Sequence, residues 1–403
     1  MKEWKIYKLS EIGQVIGGAT PSTKVASNYD GDIAWITPKD LSLLSGRYIY
    51  KGERSITEAG YKSCSCQMLP AGSILFSSRA PIGYIAIAGK ELCTNQGFKS
   101  VVPNTEIVNS HFLYYLLSYE KNRIAEMGSG TTFMEISGNV MKNIEVKLPH
   151  LSIQNKIAEI LTSLDEKIEN NQRINDNLEQ QAQALYKSWF IDFEPFKDCE
   201  FIESEFGLIP IGWKVTELSA VTKQITGKVK DRTDVKVLSP VNSGELVLSE
   251  EYFTKQVFSD SISKYIVVKP LHFAYNPARV NIGSIGMNTF AFDGCVSPVY
   301  VVFQCEKEYH HFFDYYRKTD SFKDEVLTRA IGGVRQTLSY KDFSLIKLVY
   351  PPLDVVKEFN AIYERLLDNI NRTKSENSKL SDLRDTLLPK LMSGELKINE
   401  IDC

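Results

Sequence analysis

The stretch Ile157-Ala158-Glu159-Ile160-Leu161-Thr162-Ser163-Leu164-Asp165-Glu166-Lys167-Ile168-Glu169-Asn170-Asn171-Gln172-Arg173-Ile174-Asn175-Asp176-Asn177-Leu178 decides the fold. Through it and just beyond, Ile157, Leu161, Leu164, Ile168, Asn171, Asn175, Leu178, Ala182, Leu185 and Trp189 recur at alternating steps of four and three. That is a heptad seam with two asparagines at its middle. A second seam answers it 202 positions later: Phe359, Tyr363, Leu366, Ile370, Thr373, Asn377 and Leu380, continued by Leu387 and Leu391 and again polar at mid-length. A helix with so apolar a face is unstable alone in water and needs a partner. Antiparallel pairing sets Asn171 and Asn175 against Thr373 and Asn377 and leaves both ends apolar. A parallel pair in register also matches the centres, but the globular segments before and between the helices favour the antiparallel one. At 1.5 Å per residue, a helix of about 33 residues is about 50 Å long, a spacer of fixed length.

Around these helices the 403 residues divide into a globular segment 1–150, a long helix 151–200, a second globular segment 201–352, and a second long helix with its tail, 353–403. Apolar content of 43% and charge of 24% are those of a globular protein. No window approaches 18 uninterrupted apolar residues, and the N-terminus lacks a signal-peptide core. Seven scattered cysteines without a CxxC pair support neither a zinc site nor a disulfide framework, so a reducing cytoplasm is expected. The net charge of −3 hides a split. The acid sits on the helices, and the globular segments are neutral to faintly basic. A protein tracking phosphates by itself would carry more cationic surface, so any DNA clamp is expected to be completed by partner subunits.

In segment 1–150, Trp4–Ile12 reads as a short strand entering a turn, and Gly17–Ser22 as loop. Short strands follow at Ile33–Ile36, Ser73–Ser77, Tyr84–Ala88 and Lys99–Val102, then a helix at His111–Met127, a loop at Gly128–Thr132 and a last strand at Val140–Leu148. Ser152 and Asp354 are the candidate N-caps of the long helices. Pro389 is expected to kink the second and Gly394 to end it. Segment 201–352 replays 1–150: Gly212–Leu218 echoes Trp4–Leu9, Arg279–Ile285 echoes Arg79–Ile85, and Ile346–Leu353 echoes Ile144–Leu151. Offsets of 209, 200 and 202 across 150 residues point to a duplication with different loops. The expected class is α+β, with two similar globular domains of twisted, largely antiparallel sheets. Two long helices forming an antiparallel coiled coil separate them, with pseudo-twofold symmetry.

Catalytic motifs are not found. Asn276-Pro277-Ala278-Arg279 approaches the adenine-methyltransferase box, but Ala278 replaces the second proline and Arg279 the stacking aromatic. There is no Gly-rich cofactor turn, P-loop or nucleophile elbow around Ser77-Ser78-Arg79, and pairs such as Glu250–Glu251 and Asp30/Asp32 lack a nuclease lysine. What the loops offer is base-reading chemistry. The candidates are Lys39, Ser77, Ser78, Arg79, Asn95, Gln96, Lys99, Thr131 and Thr132 in the first segment, and Asn276, Arg279, Asn281, Arg335, Gln336 and Thr337 in the second.

Trp4–Ile12, Ile33–Leu41, Gly72–Gly83, Thr94–Phe98, Ile157–Leu161 with Asp165–Asn171, Ala184–Phe193 and above all Leu383–Gly394 carry a resemblance. Over essentially its whole length the chain resembles the specificity subunit of a type I restriction–modification enzyme. The resemblance implies two target-recognition domains, each reading half of a bipartite double-stranded DNA sequence across an unread gap. It implies a non-catalytic chain on which two methylation subunits dock, with restriction/motor subunits completing the complex. S-adenosylmethionine, ATP and Mg are then expected on those partners, with no cofactor and no metal on this chain. A self-contained methyltransferase or nuclease would instead bind cofactor or turn over DNA alone, and a protein-only coiled-coil scaffold would show no salt-sensitive retention on DNA.

Overall fold

The computed structural model describes residues 4–396, apart from 80, 131–133, 254 and 331–336. The chain forms two compact units, Met1–Ile174 with Arg372–Cys403, and Asn175–Asn371. Both boundaries fall inside a long helix: Leu151–Phe190 and Leu353–Ser393 are each unbroken.

In the first unit a five-stranded sheet runs in the order Gly13–Gly17, Lys99–Pro103, Ile74–Ser78, Ile82–Ala88, Tyr48–Ile49. Its pairs are antiparallel except the last, which is parallel. The central strand Ile74–Ser78 is buried at all five residues, which explains its unbroken rather than alternating apolar run. A smaller sheet orders Arg54–Ile56, Tyr29–Ile36 and Cys93–Thr94, the second pair parallel. The sheets are largely antiparallel, as expected, with one parallel pair in each. The helix Ser110–Glu126 begins where Asn109 Oδ1 accepts the Phe112 amide at 3.0 Å. It buries Phe112, Leu113, Leu116, Leu117 and Ile124 in one core with Ile74, Phe76, Ile87 and Val101 of the large sheet.

The second unit repeats this plan. Its sheet Thr222–Ile225, Val301–Cys305, Phe273–Tyr275, Ile285–Met287 has the strand order of the first four strands above. Lys236–Pro240 lies parallel to Gly294–Val296 and antiparallel to Leu246–Leu248, as Tyr29–Ile36 lies to Cys93–Thr94 and Arg54–Ile56. One strand, Ile266–Val268, is added. Lys5 opposite Leu148 in the entry pair of the first unit is matched by Lys214 opposite Tyr350 in the second. The echo at the main hairpin is matched too: Gly83 and Gly283 both take left-handed φ, +99° and +91°.

The helices pair antiparallel within each unit. In the first, Asn171 Nδ2 donates to Asn377 Oδ1 at 2.8 Å, while earlier on the same helix Asp165 meets Arg384. Earlier still, Ile157 and Leu161 share a core with Leu387 and Leu391. In the second unit Ala182, Tyr186 and Phe190 share a core with Val356, Phe359 and Tyr363. Of the seam, Ile157, Leu161, Ile168, Asn171, Asn175, Phe359, Tyr363, Ile370 and Thr373 are buried. Leu164, Leu178, Leu185, Leu366, Asn377, Leu380 and Leu387 are half-buried. Each fully buried apolar side chain contributes on the order of 1.5–3 kcal/mol, and each half-buried one less.

Three local expectations, the two N-caps and the last strand, are corrected. The first long helix starts at Leu151, so Ser152 lies inside its first turn, and His150 Nδ1 meets the Ser152 amide instead. Asp354 likewise sits in the first turn of the second helix, where its charge suits the helix dipole. Val140–Leu148 is not one strand: a short helix, Gly138–Asn143, precedes Glu145–Leu148. Pro389 lies inside the second helix, which runs on to Ser393 before Gly394 turns at φ +75°.

Candidate nucleic-acid interface

In the first unit three loops meet beside the main hairpin. A Cβ on Gly18 would lie 2.1 Å from the Asn95 carbonyl oxygen, so only glycine lets this loop cross the Thr94–Asn95 backbone. Ala19 donates its amide to Thr94 at 3.0 Å, and its carbonyl accepts from Trp35 Nε1 at 3.0 Å. Thr20 and Gln96 then hydrogen-bond through their side chains. Asn95 Oδ1 accepts the Gly97 amide at 2.9 Å, shaping the turn and leaving its Nδ2 as donor. Gln96 is exposed, and Lys39 is exposed and paired with Glu53 at 2.6 Å.

Ser77 and Ser78 are not on an exposed loop. Both are fully buried at the end of the central strand. Ser77 Oγ donates to the Pro81 carbonyl at 2.8 Å and accepts the Tyr84 amide at 2.8 Å, and Ser78 Oγ donates to the Gly97 carbonyl at 3.1 Å. Their hydroxyls hold the hairpin turn and the 95–98 loop together. Arg79 and Lys99 both lie against Glu135, at 3.8 and 3.3 Å, so one carboxylate neutralises two candidate donors. Thr131 and Thr132 lie outside the described residues.

In the second unit Asn276 and Arg279 occupy the turn after Phe273–Tyr275. Asn276 Oδ1 accepts the Ala278 amide at 3.0 Å, so the methyltransferase-like tetrapeptide is a turn closed on itself. Arg279 is exposed, Asn281 half-buried and Thr337 exposed. Arg335 and Gln336 lie outside the described residues. Among the described residues no group of three His, Cys, Asp or Glu is placed to hold a metal.

Sequence reading missed the ionic joint between reader and helix in the first unit. Arg47 is 4% exposed and reaches Glu169 with Nε at 3.0 Å and Nη2 at 3.3 Å. Tyr115 donates to Asp165 Oδ2 at 2.5 Å, and Arg384 holds Asp165 Oδ1 at 2.8 Å. Burial, then the Asp165 charge, pushes the Tyr115 hydroxyl up, so it stays protonated and donating. In the second unit the corresponding joint is aromatic: Tyr186 stacks on Tyr315 at 5.4 Å and packs on Phe312 and Phe359. His311 sits there against Tyr363 at 4.7 Å, its pKa lowered to about 3 by burial and by neighbouring His310. An acidic residue on the flank of the seam, Asp165 beside Leu164, was the one signal available in the sequence.

Residues 1–180 match the family description "Type I restriction modification DNA specificity domain". The type I restriction enzyme MjaIX specificity subunit of Methanocaldococcus jannaschii is 34% identical over 413 residues, covering 99% of this chain and 95% of that one. The HindI specificity subunit of Haemophilus influenzae is 24% identical over 482 residues, covering 98% and 100%. A solved type I restriction–modification S subunit from M. genitalium superposes with TM-score 0.59 at 16% identity over 96% of each chain, a likeness of fold.

Proposed function

This chain belongs to the specificity subunits of type I restriction enzymes, and from that premise we propose that it reads a bipartite double-stranded DNA target, one half-site through each unit. As a specificity subunit it is the non-catalytic, DNA-recognising member of its complex. The observation that carries the bipartite reading is the repeated strand order with different loops. The same four-strand sheet and the same parallel pair occur in both units, while the residues at the hairpin turns differ. One scaffold bearing two unlike loop sets suits two unlike half-sites. The continuous helices fix the register between them, as half-site spacing is fixed in dimeric regulators.

The chain supplies the address and its partners the chemistry. Two methylation subunits dock on it and carry S-adenosylmethionine; restriction/motor subunits carry ATP and Mg. Its own faint charge fits that division, because the partners complete the phosphate clamp. No helix among the described residues is long and apolar enough to cross a membrane. The test is co-expression with the host's methylation subunit in a methylation-free strain, followed by methylome sequencing. A two-part motif with a fixed gap is expected. Methylation without a two-part motif would contradict the proposal.

A further inference from the structure

The turn after Phe273–Tyr275 opens on a recess of about 410 Å³, within the range of ligand-accepting clefts. Asn242, Tyr252, Asn276, Arg279, Ser284 and Tyr300 are among its polar lining, and among the described residues no carboxylate lines it. The amides and hydroxyls of this lining can donate or accept, and its one charged group, the Arg279 guanidinium, only donates. Asn276 spends its Oδ1 on the Ala278 amide, which leaves the Nδ2 hydrogens to face outward chemistry. Ser284 spends its hydroxyl proton on the Pro240 carbonyl at 2.7 Å and belongs to the wall. Arg279 is exposed, and among the described residues no hydrogen bond or ion pair engages its guanidinium. Its counterpart Arg79 in the first unit, by contrast, lies 3.8 Å from Glu135. Tyr300 lines the same recess, and the Arg279 charge opposes the rise that burial gives its hydroxyl.

A recess whose one charged group is an uncommitted guanidinium complements an edge made of acceptors. In the major groove that edge is guanine, whose N7 and O6 both accept, and arginine meets it with two parallel hydrogen bonds. Adenine and cytosine each present an amino donor at that edge, which a guanidinium cannot meet, and thymine presents one acceptor beside its methyl group. We propose that Arg279, flanked by Asn276 and Tyr300, is a specificity-determining residue that selects a guanine in the half-site read by the second unit. This rests on the bipartite reading above.

The test uses the full chain assembled with its methylation subunit. Methylome sequencing of wild type, Arg279→Ala and Arg279→Lys is expected to show one guanine position relaxed in one half-site only, in both variants. Lys keeps the charge and loses the fork, so it should relax the letter while retaining the salt dependence of binding. A duplex carrying 7-deazaguanine at that position should weaken the wild-type complex about tenfold and the Arg279→Ala complex hardly at all. Because the side chain is exposed, the melting midpoint should not move. A two-part motif whose letters survive both substitutions overturns the proposal alone. A wild-type complex without a two-part motif overturns it together with the bipartite reading.

Discussion

Arg384 of the second long helix holds Asp165 of the first at 2.8 Å, and Asp165 in turn accepts the Tyr115 hydroxyl at 2.5 Å. One buried carboxylate therefore ties both helices of the first unit to the helix that backs its sheet. Arg47, 3.8 Å from the same carboxylate and 3.0 Å from Glu169, adds the loop before Tyr48–Ile49.

Removing that carboxylate leaves the buried Tyr115 hydroxyl without its acceptor, while Arg47 keeps Glu169 and Arg384 keeps Asp385. Asp165→Ala should cost about 1–3 kcal/mol, the range for leaving a buried hydrogen-bonding group without its partner. Asp165→Asn should cost less, because its oxygen still accepts from Tyr115. Urea unfolding with a probe in the first unit measures both. A loss for the alanine variant no greater than that of a surface substitution would contradict the joint.

The joint of the second unit should be the acid-sensitive one. His311 is buried beside His310, Tyr363 and the Arg317- and Lys318-paired Asp314, and its pKa is lowered to about 3. An unfolded histidine titrates near 6.5, so the unfolded chain takes up the proton first as pH falls. The His311 contribution is thus complete above about pH 6.5 and is lost progressively towards pH 3. Between pH 7 and 5 it should remove about 2 kcal/mol from wild type. His311→Leu should flatten that slope; parallel profiles for the two proteins would count against the assignment.

Ser77 should matter for stability and not for sequence preference. Ser77→Ala leaves the Tyr84 amide and the Pro81 carbonyl without their partner and should cost about 1–3 kcal/mol. The methylated motif should keep every letter. A changed letter would return Ser77 to the reading surface.

The helices, the duplication and the hairpin turns were legible in the sequence because each is a local pattern. A heptad seam repeats every seven residues, and Gly83 and Gly283 mark the same left-handed turn. What was illegible is what only tertiary structure brings together. Arg47 and Glu169 are 122 positions apart, and nothing near Arg47 announces its burial. Ser77 and Ser78 look like exposed polar residues, yet a hydroxyl can be buried at little cost once backbone groups satisfy it. The strand expected over Val140–Leu148 shortens to Glu145–Leu148, because the apolar Val140 and Met141 belong to a helical turn. Ser137, whose Oγ accepts the Val140 amide at 3.1 Å, caps a helical turn there instead.

The long helices should act as a spacer. Four residues inserted after Ile174, matched by four after Asn371, add one turn to each helix, or about 6 Å. At 3.4 Å per base pair that is about two base pairs. The methylated motif should gain a gap longer by about two while both half-sites keep their letters. An unchanged gap, or altered letters, would remove the spacer role.

The most direct measurement exchanges one reader. Residues 13–148 are replaced by the corresponding stretch of a relative with a different known motif, and the hybrid is co-expressed with the methylation subunit for methylome sequencing. The expected result is a motif in which one half-site becomes the relative's and the other stays as it was. A hybrid that methylates the original two-part motif, or one in which both halves change, would contradict the claim that each unit reads its own half of the target.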